Sequence, residues 1–416
     1  MDIVHERCAA LDISKTDAKL CLRVPGKRAG TFTRQVTTWG ATTNQVLALR
    51  EFLRDQQVTV VAMEATGDYW KPFYYLLEDG LNVMLVNARH AKNVPGRKTD
   101  VSDAQWLAQL TAHGLVRASL VPPAPIRHLR DLTRTRTRLA YERSREIQRL
   151  EKLLEDAGIK LSSVASDLLG VSGRAMLEAM IAGERDPRLL ADLAKRRMRS
   201  KIPHLVEALT GRFDDHHAFL ARLHLDLVDR LTAMIEAVTA RIEVAIEPYR
   251  TAVELLVTIP GVNRLTADVI IAETGADMTR FPTAGHLASW AGVTPGHHES
   301  AGKNKSARVR PGNAYLKAAL GIAVFAGVQV KNSYVQAQYR RLAARRGPMR
   351  AQVAVQHSIL VAVWHMLSTG AGYHDLGGDY FVRLDPERAK RRIVRQANAL
   401  GLTVRFEPIE HHSPSA

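Results

Sequence analysis

The chain has 416 residues, 46% of them hydrophobic, and its 58 Lys and Arg against 42 Asp and Glu give a formal net charge of +16. This length exceeds that of one typical core, so two or three domains are expected, and the basic excess predicts a polyanionic partner. Only Cys8 and Cys21 are present, without a CxxC pair, which argues against a disulfide framework or a zinc site. No signal peptide and no apolar run long enough to span a bilayer is recognised. We therefore expect a cytoplasmic, nucleoid-associated protein without a membrane partner.

The first third of the chain has the pattern of a mixed α/β domain. Its predicted elements are three strands within residues 8–38, a helix over 44–56, a buried strand over 58–64, a helix to about Glu78, a strand over 82–87 and a helix over about 99–113. Strands followed by alternating helix and strand are typical of a sheet with helices on its faces. We assign residues 1–120 to this domain.

The rest of the chain is predicted to be mainly helical. Val121-Pro-Pro-Ala-Pro125 marks a boundary. Two long amphipathic helices, over about 126–157 and 215–246, predict an antiparallel helical arm or coiled coil across residues 121–250. Residues 251–408 are assigned to a mainly helical domain that ends in basic helices, and residues 409–416 to a disordered tail. No GxxxxGK[ST] loop occurs, which disfavours a P-loop ATPase.

Acidic residues occupy positions that suit a metal-dependent phosphodiesterase. Asp12 and Glu64 each end an apolar run, and Asp100 and Asp103 open a helix-like stretch. Carboxylates at the ends of buried strands are costly unless a cation lies between them, and residues at i and i+3 share one helix face. Oxygen ligands of this kind suit Mg²⁺ or Mn²⁺, which hold phosphates and activate a nucleophile. The alternatives are a favourable helix-dipole contact for Asp100 and Asp103 and a plain strand-end charge for Glu64.

Basic residues are concentrated in a few segments. One predicted helix carries eight arginines between residues 127 and 149, and further clusters lie at 195–197, 340–346 and 390–392. They indicate nucleic-acid binding, and the alternative is a set of solvated helix faces. A loop at 291–313 is rich in Gly, Lys and Arg and contains Ser300. Before it, Ile259-Pro-Gly261 joins two helices in a turn that can hold a DNA phosphate or can serve only as a turn.

Several of these segments resemble one protein family. Leu11-Asp12-Ile13-Ser14-Lys15, residues 63–70 and residues 98–104 resemble the first domain of the DEDD transposases of bacterial insertion sequences. That domain is similar to the Holliday-junction resolvase and ribonuclease H fold. Ile259-Pro-Gly261, Phe281 and the segments 288–295, 300–303 and 312–316 resemble the second, serine-bearing domain of the same family. The resemblance covers most of the chain, with both halves in the family's order.

The resemblance implies roles for particular residues. Asp12, Glu64, Asp100 and Asp103 would bind Mg²⁺ or Mn²⁺, and Ser300 would be the nucleophile that forms a covalent phosphoserine with DNA. The residues expected to contact nucleic acid are Lys303, Lys305, Arg308 and Arg310 in the loop, with Arg134 and Arg138 on the arginine-rich helix. The family commonly has Gly where this chain has Ala301, which puts the loop geometry in doubt because Gly reaches positive φ more easily.

The same resemblance implies partners. Family members are recombinases that move the element, and several are guided by a bridge RNA, so DNA and a structured guide RNA are expected. The long helices, and the distance in sequence between tetrad and serine, suggest a dimer or tetramer with a composite site between subunits.

Two other functions compete with this interpretation. The tetrad alone would make a Holliday-junction-resolving or RNase H-like nuclease with water as nucleophile, but the long arm and the loop around Ser300 favour a recombinase. An architectural nucleic-acid-binding protein without catalysis is disfavoured because all four acids are present.

Overall fold

The computed structural model describes residues 3–28, 30–65, 67–87, 103–296, 299–300, 302–304 and 309–407, with only the backbone described at 299, 300, 303 and 304. The chain divides into two compact units, Met1–Val121 and Pro122–Ala416. Asp100, Lys305, Arg308 and the predicted tail at 409–416 lie outside the described residues.

Within its described residues, the first unit contains a five-stranded sheet and three helices. Its elements are β1 (Cys8–Ile13), β2 (Asp17–Pro25), β3 (Phe32–Gly40), α1 (Thr43–Asp55), β4 (Val60–Glu64), α2 (Trp70–Leu77), β5 (Val83–Val86) and α3 (Asp103–Ala112). The strand order is β3-β2-β1-β4-β5. β2 pairs antiparallel with β1 and β3, whereas β4 lies parallel to β1 and β5. The prediction of a mixed α/β N-terminal domain is confirmed.

Side chains of the central strands alternate between two buried faces. Ala9, Leu11 and Ile13 of β1 belong to the core that includes the buried residues of α1 and α2, whereas Ala10 packs with residues of α3. Since both faces are covered, the strands appear in the sequence as continuous apolar runs rather than as an alternation of apolar and polar residues. The period of two places residues 12 and 64 on the α3 face.

The second unit is mainly helical. Its first helices are α4 (Ala124–Asp156), α5 (Leu161–Val164), α6 (Val171–Ile181), α7 (Pro187–Asp192), α8 (Ile202–Leu209) and α9 (Asp215–Ala245). They are followed by α10 (Arg250–Val257), α11 (Arg264–Thr274), α12 (Ala284–Ala291), the short strands β6 (Glu299–Ser300) and β7 (Lys303–Asn304), α13 (Ala314–Gln329), α14 (Tyr334–Arg346), α15 (Pro348–Thr369), α16 (Tyr380–Leu384) and α17 (Pro386–Ala399). Short 3-10 helices occur at Arg196–Lys201, Glu247–Tyr249 and Met278–Arg280. The prediction of a mainly helical second part is confirmed.

The long helices α4 and α9 run antiparallel. Arg136 Nε donates to Thr239 Oγ1 at 2.8 Å, and Arg143 Nε donates to Thr232 Oγ1 at 2.8 Å. Further along, His224 Nδ1 lies 2.6 Å from Glu146 Oε1. Residue numbers rise along α4 while those of their partners fall along α9, which fixes the direction. The coiled coil itself stays a prediction.

The Pro-Gly turn between α10 and α11 is packed inside the unit. Gly261 has φ +91°, and a Cβ there would lie 2.1 Å from the Ala323 carbonyl oxygen of α13. Only Gly tolerates this approach, so packing accounts for the residue.

No single helix in the described part of the chain has the length and apolarity needed to cross a membrane. α13 and α14 reach that threshold only as a pair, and the pair is bent by 99°.

Candidate active site

The structure places two of the predicted acids side by side. β1 and β4 are parallel, with Leu11 opposite Met63. Asp12 and Glu64 are the next residues of their strands, so their Cα atoms occupy neighbouring strands about 4.8 Å apart. Both side chains point to the α3 face, at the edge where the parallel strands end, and both are half-buried. This arrangement brings two carboxylates to one place.

Asp103 is the first residue of α3, the helix that covers this face. The next residue, Ala104, is buried with Ala10 and Ala62 of the two strands, which draws the start of α3 to the sheet. Lys19 of β2 lies directly opposite Asp12 in the antiparallel register. Residues opposite each other in an antiparallel pair share a face, so a cation flanks the acids.

The chemistry of the donor set fits a divalent ion, although the described residues do not complete a site. Within the described ranges, no group of three or more His, Cys, Asp or Glu side chains could hold a metal ion. Mg²⁺ is usually bound by one or two protein carboxylates, with water and substrate phosphate as its other ligands. The neighbouring carboxylates of Asp12 and Glu64 match this number. Two carboxylates this close favour a cation between them, since like charges otherwise repel.

Ser300 lies on a short hairpin. Glu299 pairs with Asn304 and Ser300 with Lys303, in an antiparallel ladder. Gly302 lies between the two strands with φ +71°, and no described atom lies within 4 Å of its Cβ position. A second bridge joins Pro295 to Val309 nearer the base. The backbone therefore carries Ser300 at the last paired position before the tip.

Two glycines close the base of this hairpin. Gly292 and Gly312 have φ +76° and +56°, and a Cβ on Gly312 would lie 2.2 Å from the Ala291 carbonyl oxygen. The Asn313 amide also donates to that oxygen at 3.2 Å. Because neither glycine has a side chain, the backbone that enters the loop at Gly292 and the backbone that ends it at Gly312 can lie in direct contact. We name residues 292–312 the serine hairpin.

A buried carboxylate anchors the end of the serine hairpin. Glu273 of α11 is fully buried, and it accepts two hydrogen bonds from Arg134, at 2.7 and 2.8 Å. Arg130 lies 3.3 Å from the same carboxylate. Asn313 donates to it at 2.6 Å through its amide nitrogen, and its amide oxygen caps α13 by accepting from Leu316 N. Glu273 thus ties α4 and α11 to the residue at which the hairpin ends.

The predicted nucleic-acid contacts are only partly described. Arg134 is held by Glu273, and burial lowers its pKa while the Glu273 hydrogen bonds raise it, with a net rise that keeps the guanidinium charged. Arg138 is exposed and donates to the Tyr315 hydroxyl at 2.9 Å. Arg310 is exposed at the base of the serine hairpin. The side chain of Lys303 lies outside the described residues, as do Lys305 and Arg308. The role of all six in binding stays a prediction.

Sequence reasoning missed Glu273, Asn313 and Lys19. A lone carboxylate in the apolar segment 269–274 must have a buried cationic partner, and the arginines of α4 could have suggested one. The position of Lys19 opposite Asp12 depends on the register of β1 and β2, which cannot be predicted from the sequence.

Comparisons with known proteins agree in both halves of the chain. A family model for DEDD transposases of the IS110 type matches residues 9–159, and a model described as the transposase IS116/IS110/IS902 family matches residues 253–340. Together the two matches cover more than half of the chain. The chain belongs to the IS110/IS116 family of transposases.

Individual relatives support this assignment. A probable family 20 transposase of Pseudomonas aeruginosa is 25% identical over 335 residues, 78% of this chain and 88% of the relative. The transposase for insertion sequence element IS1111A of Coxiella burnetii is 24% identical over 356 residues, 81% of this chain and 86% of the relative. An insertion element IS110 protein of Streptomyces coelicolor is 31% identical over 152 residues, 35% of this chain and 37% of the relative. This chain is accordingly a transposase, an enzyme that cuts and rejoins DNA, and its function is transposition.

Proposed function

We propose that this transposase exchanges DNA strands through a covalent phosphoserine at Ser300, assisted by a divalent metal ion at Asp12, Glu64, Asp100 and Asp103. The register that places Asp12 beside Glu64 on the α3 face carries this proposal. Both carboxylates lie on strands whose other residues are apolar and buried.

The acids act as the ligand set. Asp12 and Glu64 would hold Mg²⁺ or Mn²⁺ from the sheet, with Asp103 and Asp100 approaching from α3 and the segment before it. When bound, the ion supplies Lewis-acid stabilisation of the charge that develops on a phosphate. Lys19, on the same face as Asp12, would add a positive charge for a phosphate oxygen.

The serine supplies the covalent step. The Ser300 oxygen would attack a DNA phosphorus, so that a bond between serine and phosphate forms as the bond from phosphorus to the 3′-oxygen breaks. The serine proton leaves to solvent or base, and the 3′-oxygen takes up a proton. The resulting 3′-hydroxyl can attack the phosphoserine of another strand, which rejoins DNA and returns the serine without ATP.

Base pairing with a structured guide RNA is proposed as the source of target choice. The protein would contact backbone phosphates through its arginines while pairing between nucleic acids determines sequence. Recombination of DNA in full by protein freed of all RNA would contradict guidance and leave the serine mechanism intact.

The decisive experiment looks for DNA attached to Ser300. Wild-type protein incubated with element-end DNA should yield a denaturant-resistant adduct, and digestion with mass spectrometry should locate it on the peptide that contains residue 300. Ser300→Ala should form none, and Ser306→Ala is the matched control in the same loop. A nuclease that uses water predicts free nicked products, no adduct and full activity of Ser300→Ala.

Metal dependence is tested at the paired acids. Asp12→Asn and Glu64→Gln should lower strand exchange by at least about 100-fold, since such an ion contributes several kcal/mol to the transition state. DNA binding should remain, because affinity rests largely on basic residues. Asp55→Asn, at an exposed residue ending α1, is the control. Full strand exchange in EDTA would rule out the metal site.

A further inference from the structure

A cavity lies between α14, α15 and the segment 373–376 of the second unit. Its volume is about 340 Å³, and its apolar wall includes Val335, Val355, Ile359 and Leu376. Two tyrosine rings, Tyr334 and Tyr373, also line it. Small-molecule sites have this character, with mostly apolar and aromatic walls and a few fixed polar groups.

The polar groups of the cavity include an unsatisfied amide. Gln338 Nε2 donates to Ser358 Oγ at 2.8 Å, whereas Gln338 Oε1 is buried and accepts no hydrogen bond within the described part of the chain. A buried acceptor without a donor costs about 1–3 kcal/mol. Gln338 also lines the cavity, so a turn of its amide toward the cavity would let this oxygen accept from a donor of an occupant.

Two of the groups that line this cavity are uncharged near neutral pH. Burial lowers the pKa of His357, so its imidazole is neutral and can both donate and accept. Burial, with Asp375 adding to it, raises the pKa of Tyr373 to about 12, so its hydroxyl keeps its proton. The cavity therefore suits a neutral, flat molecule with a hydrogen-bonding edge.

Cations lie next to the cavity. A more open cavity of about 550 Å³ shares His374 and Leu376 with it and includes Arg383. Tyr334 stacks on Phe381, with ring centroids 5.4 Å apart. The guanidinium group of the exposed Arg341 lies over the Phe381 ring, 4.5 Å from its centroid. Arg383 also pairs with Asp379 at 3.0 Å, so a phosphate leaving the inner cavity would meet Arg341 directly and would share Arg383 with this carboxylate.

We propose that this cavity binds an extruded nucleobase, with Tyr334 and Tyr373 as stacking surfaces, Gln338 Oε1 accepting from the edge of the base, and Arg341 and Arg383 contacting the flanking phosphates. The inference rests on the chain being a transposase that binds DNA. It explains why an aromatic cavity with an unsatisfied amide is bordered by cations. The base comes from an unpaired DNA or RNA strand, since stacked bases in a duplex cannot enter.

Photocrosslinking tests the occupant. Random single-stranded DNA and RNA pools are prepared with 5-iodouracil or with 6-thioguanine, bound to the full-length protein, irradiated and digested. We expect crosslinks on the peptides that contain Tyr334 or Tyr373, and the DNA and RNA arms distinguish the source of the base. Pools that bind but crosslink only elsewhere would overturn the proposal.

Variants separate base binding from phosphate binding. Gln338→Met keeps the size of the side chain and removes the acceptor, and Tyr373→Leu removes a ring. Each should weaken binding of a crosslinking strand about tenfold, in line with the loss of one base contact. The dependence of log Kd on log salt should be unchanged, because no phosphate contact is lost. Gln329→Met, at an exposed glutamine of α13, is the matched control and should bind as wild type.

Thermal denaturation shows whether each variant is folded, and strand exchange is measured in parallel. Folded Gln338→Met and Tyr373→Leu proteins with wild-type affinity would overturn the cavity proposal. That result would leave the Ser300 adduct untouched, and a missing adduct would leave the crosslinks untouched, so the two proposals fail separately.

Discussion

Glu273 illustrates how one buried charge organises the region around the serine hairpin. Its carboxylate accepts from Arg134 on both oxygens and from Asn313. Replacing a buried ion pair by apolar residues is often neutral, whereas removing one partner leaves the other charge buried and uncompensated. The value of Glu273 therefore lies in orientation, because it fixes Asn313 at the point where the hairpin returns to α13.

Asp268 provides a pH prediction at the residue scale. It is 2% exposed. Burial raises its pKa to about 6, although Arg264 at 3.2 Å opposes this. The folded state thus holds the proton between about pH 4 and 6 while the unfolded chain releases it, so wild-type stability falls as pH rises through this window. Asp268→Asn removes the effect. As pH rises through this window, the free energy of unfolding of Asp268→Asn should increase relative to that of wild type, by on the order of 2 kcal/mol.

Urea unfolding from pH 4 to pH 7 measures this difference. Asp277→Asn is the control with the opposite sign. Hydrogen bonds from Thr279 lower the pKa of Asp277, so its contribution is present at neutral pH and is lost as pH falls. That variant should lose stability relative to wild type as pH rises. A flat difference for Asp268→Asn would contradict the raised pKa.

At the scale of elements, the serine hairpin depends on the two glycines at its base. Gly312→Ala adds a positive-φ strain of about 1–2 kcal/mol and places a Cβ 2.2 Å from the Ala291 carbonyl oxygen. The hairpin must then open at its base, so we expect a loss of adduct formation at Ser300 of at least about tenfold, equal to roughly 1.4 kcal/mol.

Gly347→Ala is the matched control for this prediction. Gly347 has φ +83°, but no atom lies within 4 Å of its Cβ position. Gly347→Ala therefore adds positive-φ strain without a clash, and adduct formation should stay close to that of wild type. Adduct yields and melting temperatures of both variants, measured together, decide between hairpin geometry and general destabilisation.

The sequence was sufficient to predict the strands but not their pairing. The apolar runs that end at Asp12 and Glu64 predicted buried strands, because a sheet covered on both faces has no polar alternation. That these strands are parallel and in register could not be predicted, since pairing depends on distant residues. The same holds for Glu273 and Asn313, whose contact joins residues 40 positions apart. Ser300 was found through its family resemblance, not from local physics.

For the molecule as a whole, the basic side chains behind the net charge of +16 are not equally accessible to a nucleic-acid partner. Several arginines of α4 have internal partners, such as Thr239 for Arg136 and Thr232 for Arg143. In contrast, no residue of α17 is buried. Arg388, Arg391, Arg392 and Arg395 fall at i, i+3, i+4 and i+7, on one face of that helix. This face is therefore better suited to contact phosphates than much of α4.

Replacing these four arginines of α17 by Gln tests that distribution. Each phosphate contact contributes about 0.9 to the slope of log K against log salt for duplex DNA, so the variant should show a shallower slope by up to about 0.9 per arginine. Its melting temperature should match that of wild type, because no packing is removed. The double variant Arg136→Gln/Arg143→Gln should behave in the opposite way, with a lower melting temperature and a nearly unchanged slope. If the α17 variant kept the wild-type slope, the phosphates would have to be contacted elsewhere, and α17 would be a solvated helix.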